Sequence, residues 1–447
     1  MLALATSAVA QSVELEQLTS HDDAGCFVFR PSANADASFI AFESTCDLTG
    51  DNADGNREIF QVSTDGVVLQ LTDTSACANL NPSSNGQGNI VAFDSDCDFD
   101  GSNVDANVEI FVSTSTGVSQ LTDAEFCSSF APSIDASGDR IAFDSDCDLI
   151  AGTNADRSNE IFRVTRAGAI TQLTDDRTRS GCGSFSASSN AAGSRIAFES
   201  DCDLAGTNED QISEIFQVTP AGAVTQLTTS LDDTCLSTRP ASDATGDRVA
   251  FESDCDLTGD NGDGSIEIFR VTSAGLVTQL TDDPGTSACE YAGPAISEDG
   301  NAVVFMGFCN PEGKNGDGSF EVFRARSSRV DQVTMATGCS SLSPVTRTSG
   351  TITAYVSDCD PAGTNADNSD EIFVSREPCA CGAPVSRFES GQNPTASDAL
   401  FTLQAAVGVA SCATCECDVN TDAKVTATDA LQILKAAVGQ GVTLTCP

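Results

Sequence analysis

The chain has 447 residues, enough for two or three domains, and an ordinary apolar content of 40%. Sixty-six acidic residues face twenty-one basic ones, giving a net charge of −45. That balance argues against nucleic acid or an anionic membrane as partner and favours cations, cationic partners or a saline medium. The only histidine is His21, which leaves no room for Ser-His-Asp, Cys-His or His-rich metal chemistry.

Residues 1–10 are apolar or small and end in Ala8-Val9-Ala10. They read as the remnant of a signal peptide, lacking its basic start and cleaved before Gln11. No later stretch approaches the roughly 18 apolar residues needed to span a bilayer. The mature protein is therefore expected to be secreted or at the cell surface, without a membrane span.

From residue 11 to 377 the chain repeats itself. Two cysteines twenty residues apart recur seven times: Cys26 and Cys46, Cys77 and Cys97, Cys127 and Cys147, Cys182 and Cys202, Cys235 and Cys255, Cys289 and Cys309, and Cys339 and Cys359. Only a repeated unit holds that spacing while the distance between units drifts. So many structural thiols stay paired only in an oxidising compartment. Triplets of the Glu-Ile-Phe type begin at Glu58, Glu109, Glu160, Glu214, Glu267, Glu321 and Glu371, a period of 50 to 54 residues. A period near 50 made of short β-branched and aromatic runs between Gly, Asn and Asp predicts a propeller with four strands per blade.

In the third unit the predicted strands are 127–133, 140–145, 160–164 and 170–174, with a turn at 135–139. The first cysteine opens the first strand and the second closes its hairpin partner, so both lie at one end and can pair within the blade. Closing a loop of about 20 residues is worth roughly 3 kcal/mol in the chain-entropy model. The seventh unit lacks its final Gln-Leu-Thr strand, and Leu15-Glu16-Gln17-Leu18-Thr19 precedes the first cysteine. That N-terminal strand is expected to complete the last blade and close the ring, removing exposed sheet edges. Paired phenylalanines such as Phe42 and Phe60, Phe143 and Phe162, or Phe251 and Phe269 are expected in the inter-blade core.

The repeats over residues 15 to 376 resemble TolB-like (WD40-like) propeller repeats in their turn, Ile-Ala-Phe strand, second aromatic strand and closing Leu-Thr. The resemblance implies a seven- or six-bladed ring that serves as a docking surface. The cysteines and long acidic loops depart from the family pattern.

Each acidic loop follows the second cysteine. The first holds Asp47, Asp51, Asn52, Asp54 and Glu58; the fifth holds Asp256, Asp260, Asn261, Asp263 and Glu267. With the connections between blades they should crown one face with carboxylates. Hard cations such as Ca²⁺ take these oxygen donors; Asx turns use the same residues without a metal. The blade loops are thus weaker candidate metal sites.

Composition changes at Pro378. Residues 395–408 and 426–439 match each other at an offset of 31, with helical spacing and a terminal Gly. Before the second copy, Asp418-Val419-Asn420-Thr421-Asp422-Ala423-Lys424 leads to Asp429, which resembles the type I dockerin calcium loop. The resemblance implies side-chain ligation of Ca²⁺ by Asp418, Asn420, Asp422 and Asp429, and carbonyl ligation by Lys424. In the first copy Arg387, Glu389 and Gly391 stand at three of these positions, so it should hold no metal. Cys379, Cys381, Cys412, Cys415, Cys417 and Cys446 should staple this module, in a pairing the sequence leaves open.

The expected fold is all-β: a closed seven-bladed propeller (11–377) followed by a small α-helical dockerin-like module (378–447). The expected function is a secreted, non-enzymatic binding protein for an extracellular protein or polysaccharide matrix, with a calcium-dependent module for a cohesin-like or self-association partner. A structural subunit of an extracellular assembly and a dockerin-bearing carbohydrate-active enzyme are the alternatives.

Overall fold

The computed structural model describes residues 14–21, 25–175, 181–230, 232, 234–282, 289–326, 329–377, 381–382, 394–407, 412, 417–422 and 424–446. The signal-like residues 1–10, Cys379, Cys415, and Arg387, Glu389 and Gly391 lie outside them. The chain divides into two compact units, one spanning Leu15–Ser375 and the other containing the chain from Arg376 onward.

The larger unit is a seven-bladed propeller of four-stranded antiparallel sheets. Strand β1 (Glu14–Gln17) comes first. Blade one is β2 (Val28–Ala33), β3 (Phe39–Ser44), β4 (Glu58–Ser63) and β5 (Val68–Gln70). Blade two runs from β6 (Asn79–Ser84) to β9 (Gly117–Gln120). Blade three is β10 (Ser129–Ile134), β11 (Arg140–Ser145), β12 (Glu160–Thr165) and β13 (Ile170–Gln172). Blade four spans β14 (Ser184–Ser189) to β17 (Val224–Gln226), blade five β18 (Ser237–Ser242) to β21 (Val277–Gln279), and blade six β22 (Tyr291–Ile296) to β25 (Arg329–Gln332). Strands β26 (Ser341–Arg347), β27 (Ile352–Ser357) and β28 (Glu371–Arg376) make the last blade, and β1 pairs with β28 as its fourth strand. The expected closure is therefore present, with Leu18 N–H donating to the Ile372 carbonyl at 2.8 Å.

The two middle strands of each blade are buried on both faces by neighbouring blades, so they read as continuous apolar runs rather than alternating ones. Ile141, Ala142 and Phe143 are all buried. Phe143 and Phe162 are cross-strand partners, stacked with centroids 5.8 Å apart; blades one, two, four, five and six repeat the pair, and the last blade stacks Tyr355 on Phe373. One core cluster joins Ala92 and Ile110 of blade two to Ile141 and Phe162 of blade three, as expected for inter-blade packing.

The innermost strands begin two residues later than expected and carry a bulge. In blade three the register shifts between Phe130 and Ser133. The bulge residue is left-handed in every blade: Arg30, Asn81, Ala131, Ser186, Arg239, Gly293 and Ser343 have φ between 47° and 63°. Proline follows it in six blades, as Pro132 follows Ala131. A proline cannot donate to the ladder and is tolerated within strands at such bulges.

All seven twenty-residue cysteine pairs form disulfides within their blades, with Cα–Cα distances of 4.9–5.3 Å. Cys26 bonds Cys46, Cys77 bonds Cys97, Cys127 bonds Cys147, and Cys182 bonds Cys202. Cys235 bonds Cys255, Cys289 bonds Cys309, and Cys339 bonds Cys359.

In the C-terminal unit, α1 (Ala396–Ala406) and α2 (Ala427–Ala437) carry matching capping boxes, Thr395 with Asp398 and Thr426 with Asp429. Ala399, Val419 and Ile433 form its small core beside the Cys381–Cys446 disulfide, and Cys412 pairs with Cys417.

Candidate functional site

The acidic loops cluster at the disulfide end of the blades. Asn56 Nδ2 donates to the Thr74 and Cys77 carbonyls, tying the loop to the connection entering blade two. Within each loop one asparagine is buried and spent internally. Asn52 Nδ2 donates to the Cys46 carbonyl at 3.3 Å and the Asn56 carbonyl at 3.1 Å; Asn261 does the same to Cys255 and Ser265. Asn315 reaches the Cys309 carbonyl at 3.1 Å, and Asn365 the Cys359 carbonyl at 3.0 Å. Asn103, Asn154 and Asn208 complete the set of seven bridges.

Asp47 and Asp256 accept the N–H of that asparagine at 2.9 and 3.0 Å. In blade six the acceptor is the neutral Asn310, at 2.7 Å. The loop thus requires an acceptor there and does not require a charge. Asp51, Asp54, Asp260 and Asp263 are exposed, and Gly55 and Gly264 after the turn aspartates have φ of 66° and 70°. This is turn chemistry.

Glu58 and Glu267 are buried and point at the next connection. Glu58 accepts from Thr74 N–H and from Asn79 Nδ2, and Glu267 accepts from the Thr281 hydroxyl. The threonine closing each outer strand accepts the N–H that follows the glutamate in all seven blades; in the last blade Thr19 of the N-terminal strand does so for Ile372. Burial raises the carboxyls of Glu109, Glu214 and Glu321 above the ordinary range.

A second carboxylate set, missed by sequence reasoning, bonds the bulge residues that line the central channel. The channel has a volume of about 640 Å³ and is lined by the seven bulge residues among others. In blades one to five the residue after the strand phenylalanine is acidic: Glu43, Asp94, Asp144, Glu199 and Glu252; Met306 and Val356 follow in the last two. Each carboxylate accepts the bulge N–H of the next blade, for instance Glu43 from Asn81 at 3.0 Å and Asp94 from Ala131 at 2.8 Å. The remaining bonds run from Ser186 to Asp144, Arg239 to Glu199 and Gly293 to Glu252. Desolvation pushes Asp94 and Asp144 up to about 7, and their mutual repulsion contributes to Asp144. Burial raises Glu43 and Glu199 as well. The Phe-Glu-Ser and Phe-Asp-Ser triplets were the available sequence signal.

In the C-terminal unit the candidate ligands converge on one turn. Asp418 and Asp429 are fully buried. Asp418 Oδ1 accepts the N–H of Asn420 and of Asp422, each at 3.3 Å, and Asn420 Oδ1 accepts Asp422 N–H at 3.0 Å. Asp422 accepts Lys424 N–H at 3.0 Å. Asp429 accepts Val419 N–H through Oδ1 and caps α2 through Oδ2. Asp398 caps α1 in the same way, so capping accounts for Asp429 Oδ2, while its Oδ1 reaches the loop at Val419. Asp418, Asn420 and Asp422 are what the second copy adds. Two buried carboxylates converging on a loop of oxygen donors fit a hard cation.

His21 is enclosed at the ring closure, with Nε2 3.2 Å from Cys46 Sγ and 3.7 Å from Glu371 Oε1. The Cys-Asp-Cys groupings beside the blade disulfides are structural. Their sulfurs are bonded to each other, and Asp96, Asp146, Asp201 and Asp254 each accept an N–H across the hairpin at 2.6–2.7 Å. Cys309 and Cys359 of the last two blades are likewise consumed by their bonds to Cys289 and Cys339, so they staple the hairpin and offer no thiolate to a ligand.

No protein-family model matches the sequence, and no curated protein matches it either. The fold has solved relatives. An oligogalacturonate lyase from Vibrio parahaemolyticus matches with a TM-score of 0.55 at 11% identity, covering 82% of this chain and 94% of the lyase. The β-propeller domain of the Trilobed protease from Pyrococcus furiosus matches at 0.51 and 10% identity, covering 78% and 95%. A putative TolB from Agrobacterium tumefaciens matches at 0.41 and 15% identity, covering 70% and 94%. At such identities the likenesses to the lyase and to the protease domain define a propeller fold and nothing finer.

Proposed function

We propose that this chain is a secreted, non-enzymatic propeller that binds an extracellular protein or polysaccharide matrix, with a calcium-dependent, dockerin-like docking module at its C-terminal end. The observation that carries the reading is the use of the same asparagine and threonine for the same internal bonds in all seven blades. Groups consumed in holding the repeat are not free for proton transfer or nucleophilic attack. Nine disulfides among the described residues suit an oxidising, extracellular setting.

In the docking module Asp418, Asn420 and Asp422, with the Lys424 carbonyl and Asp429, would hold the ion. Bound Ca²⁺ would fix the turn ahead of α2. Leu400 and Leu403 of α1 with its C-cap Val407, and Leu431 and Leu434 of α2 with its C-cap Val438 at matching positions, are exposed and available to a partner such as a cohesin or a second copy.

The test is incubation of the oxidised protein with a panel of polysaccharides, polygalacturonate included, following retention, new reducing ends and unsaturated uronate ends. Retention without new chain ends is expected. Depolymerisation of any member would overturn the non-enzymatic reading.

A further inference from the structure

One blade of the ring contains an example of the group that a niche beside the bulge holds. In blade one Phe29 and Glu43 are directly opposite each other on β2 and β3. Arg57, the residue before β4, lays its guanidinium over the Phe29 ring, 4.6 Å from the centroid, and pairs with Glu43 at 3.3 Å. An aromatic face and a carboxylate together thus hold one guanidinium.

Blades three and four repeat the niche without its arginine. Phe130 is opposite Asp144, and Phe185 is opposite Glu199. Both rings are exposed, at 38% and 37%. The positions equivalent to Arg57 hold Asn159 and Ser213. Gly183 lets Phe185 lie against the backbone, since a Cβ there would sit 2.7 Å from the ring's Cζ.

The inter-blade bonds join the two niches into one arc. Asp94 accepts the N–H of Ala131, the residue after Phe130, and Asp144 accepts that of Ser186, the residue after Phe185. The order from blade to blade is therefore Asp94, Phe130, Asp144, Phe185, Glu199. In blades one and five the ring carboxylate is matched by an arginine, Arg57 with Glu43 and Arg239 with Glu252 at 3.2 Å. Asp94, Asp144 and Glu199 have no such ion pair among the described residues. Asp94 is 1% exposed; its Oδ2 accepts from Asn81 Nδ2 and Ala131 N–H, and its Oδ1 is buried with no hydrogen-bond partner among the described residues. Leaving such an atom unmet is unfavourable.

We infer that this arc is a binding site for guanidinium groups, and that its occupant is an arginine-bearing segment of a partner protein. The inference rests on the binding reading above and assigns that reading a surface and a partner chemistry. The two fail differently: chain cleavage in the polysaccharide panel removes the reading, while the site is tested by peptide affinity.

The probe is an acetylated, amidated tri-arginine peptide titrated calorimetrically into the full oxidised chain at physiological salt. Saturable binding is expected, weakened about tenfold by Phe130→Ala with Phe185→Ala, a change that leaves the charge untouched. Asn159→Arg should weaken it as well by filling blade three's niche from within, as Arg57 does in blade one, and its thermal melt reports that the ring is intact. Neutralising exposed carboxylates on the same face, Asp105→Asn with Asp156→Asn, should change affinity less than about twofold. Equal affinity across the native chain and the phenylalanine and Asn159 variants would overturn the site. So would equal affinity for a tri-lysine peptide of the same charge, or no saturable binding.

Discussion

Replacing Asp94 by asparagine should stabilise the ring in neutral solution and leave it unchanged in acid. Burial lifts the Asp94 carboxyl from 3.8 to about 7 in the folded chain. A raised folded value means the native state holds the proton more tightly than the unfolded one. The associated stability is fully present below pH 3.8 and is lost as pH rises to about 7. The loss is roughly 4 kcal/mol, from about three units at 1.36 kcal/mol each. Asp94→Asn abolishes it while keeping an acceptor for Ala131 N–H and Asn81 Nδ2. Guanidinium chloride unfolding with the disulfides intact should show native and variant alike near pH 4, and the variant more stable by about 4 kcal/mol at pH 8. A constant difference between the two across that range would refute the assignment of a buried, proton-binding carboxyl at the channel.

Three other outcomes follow from the packing. Asn261→Ala strands the Cys255 and Ser265 carbonyls and should cost about 1–3 kcal/mol, read from the same unfolding curves. Thr19→Val removes the hydroxyl that bonds Glu371 and Ile372 across the closure; a loss of about 1–3 kcal/mol is expected, with faster amide exchange in the last blade. Converting Cys127 and Cys147 together to serine opens one twenty-residue loop and should cost roughly 3 kcal/mol in the chain-entropy model.

The repeat was legible because its markers are local: paired cysteines, a Glu-Ile-Phe triplet and a terminal Leu-Thr recur at one period. Closure was legible because the missing strand of the last blade lies at the opposite end of the chain. The channel carboxylates were not. Glu43 and Asp94 come at the end of continuous apolar runs, and only the bulge of the neighbouring blade brings a donor to them. That contact crosses 38 residues from Asn81 back to Glu43, beyond any local pattern. The acidic loops were ambiguous for the opposite reason. Asn and Asp serve turns and metals alike, and Asn310 in blade six shows an uncharged residue in the same bond. The C-terminal disulfides Cys381–Cys446 and Cys412–Cys417 follow from the three-dimensional packing of two short helices, which spacing alone does not encode.

Calcium is proposed for the C-terminal loop, with the blade loops as turns. Calorimetric titration of the full oxidised chain with Ca²⁺, beside an Asp418→Ala with Asp422→Ala variant, tests it most directly. One site in the native chain, absent from the variant, is the predicted result. Sites that persist in the variant would place metal on the acidic face of the blades, and no site in the native chain would remove calcium from the account.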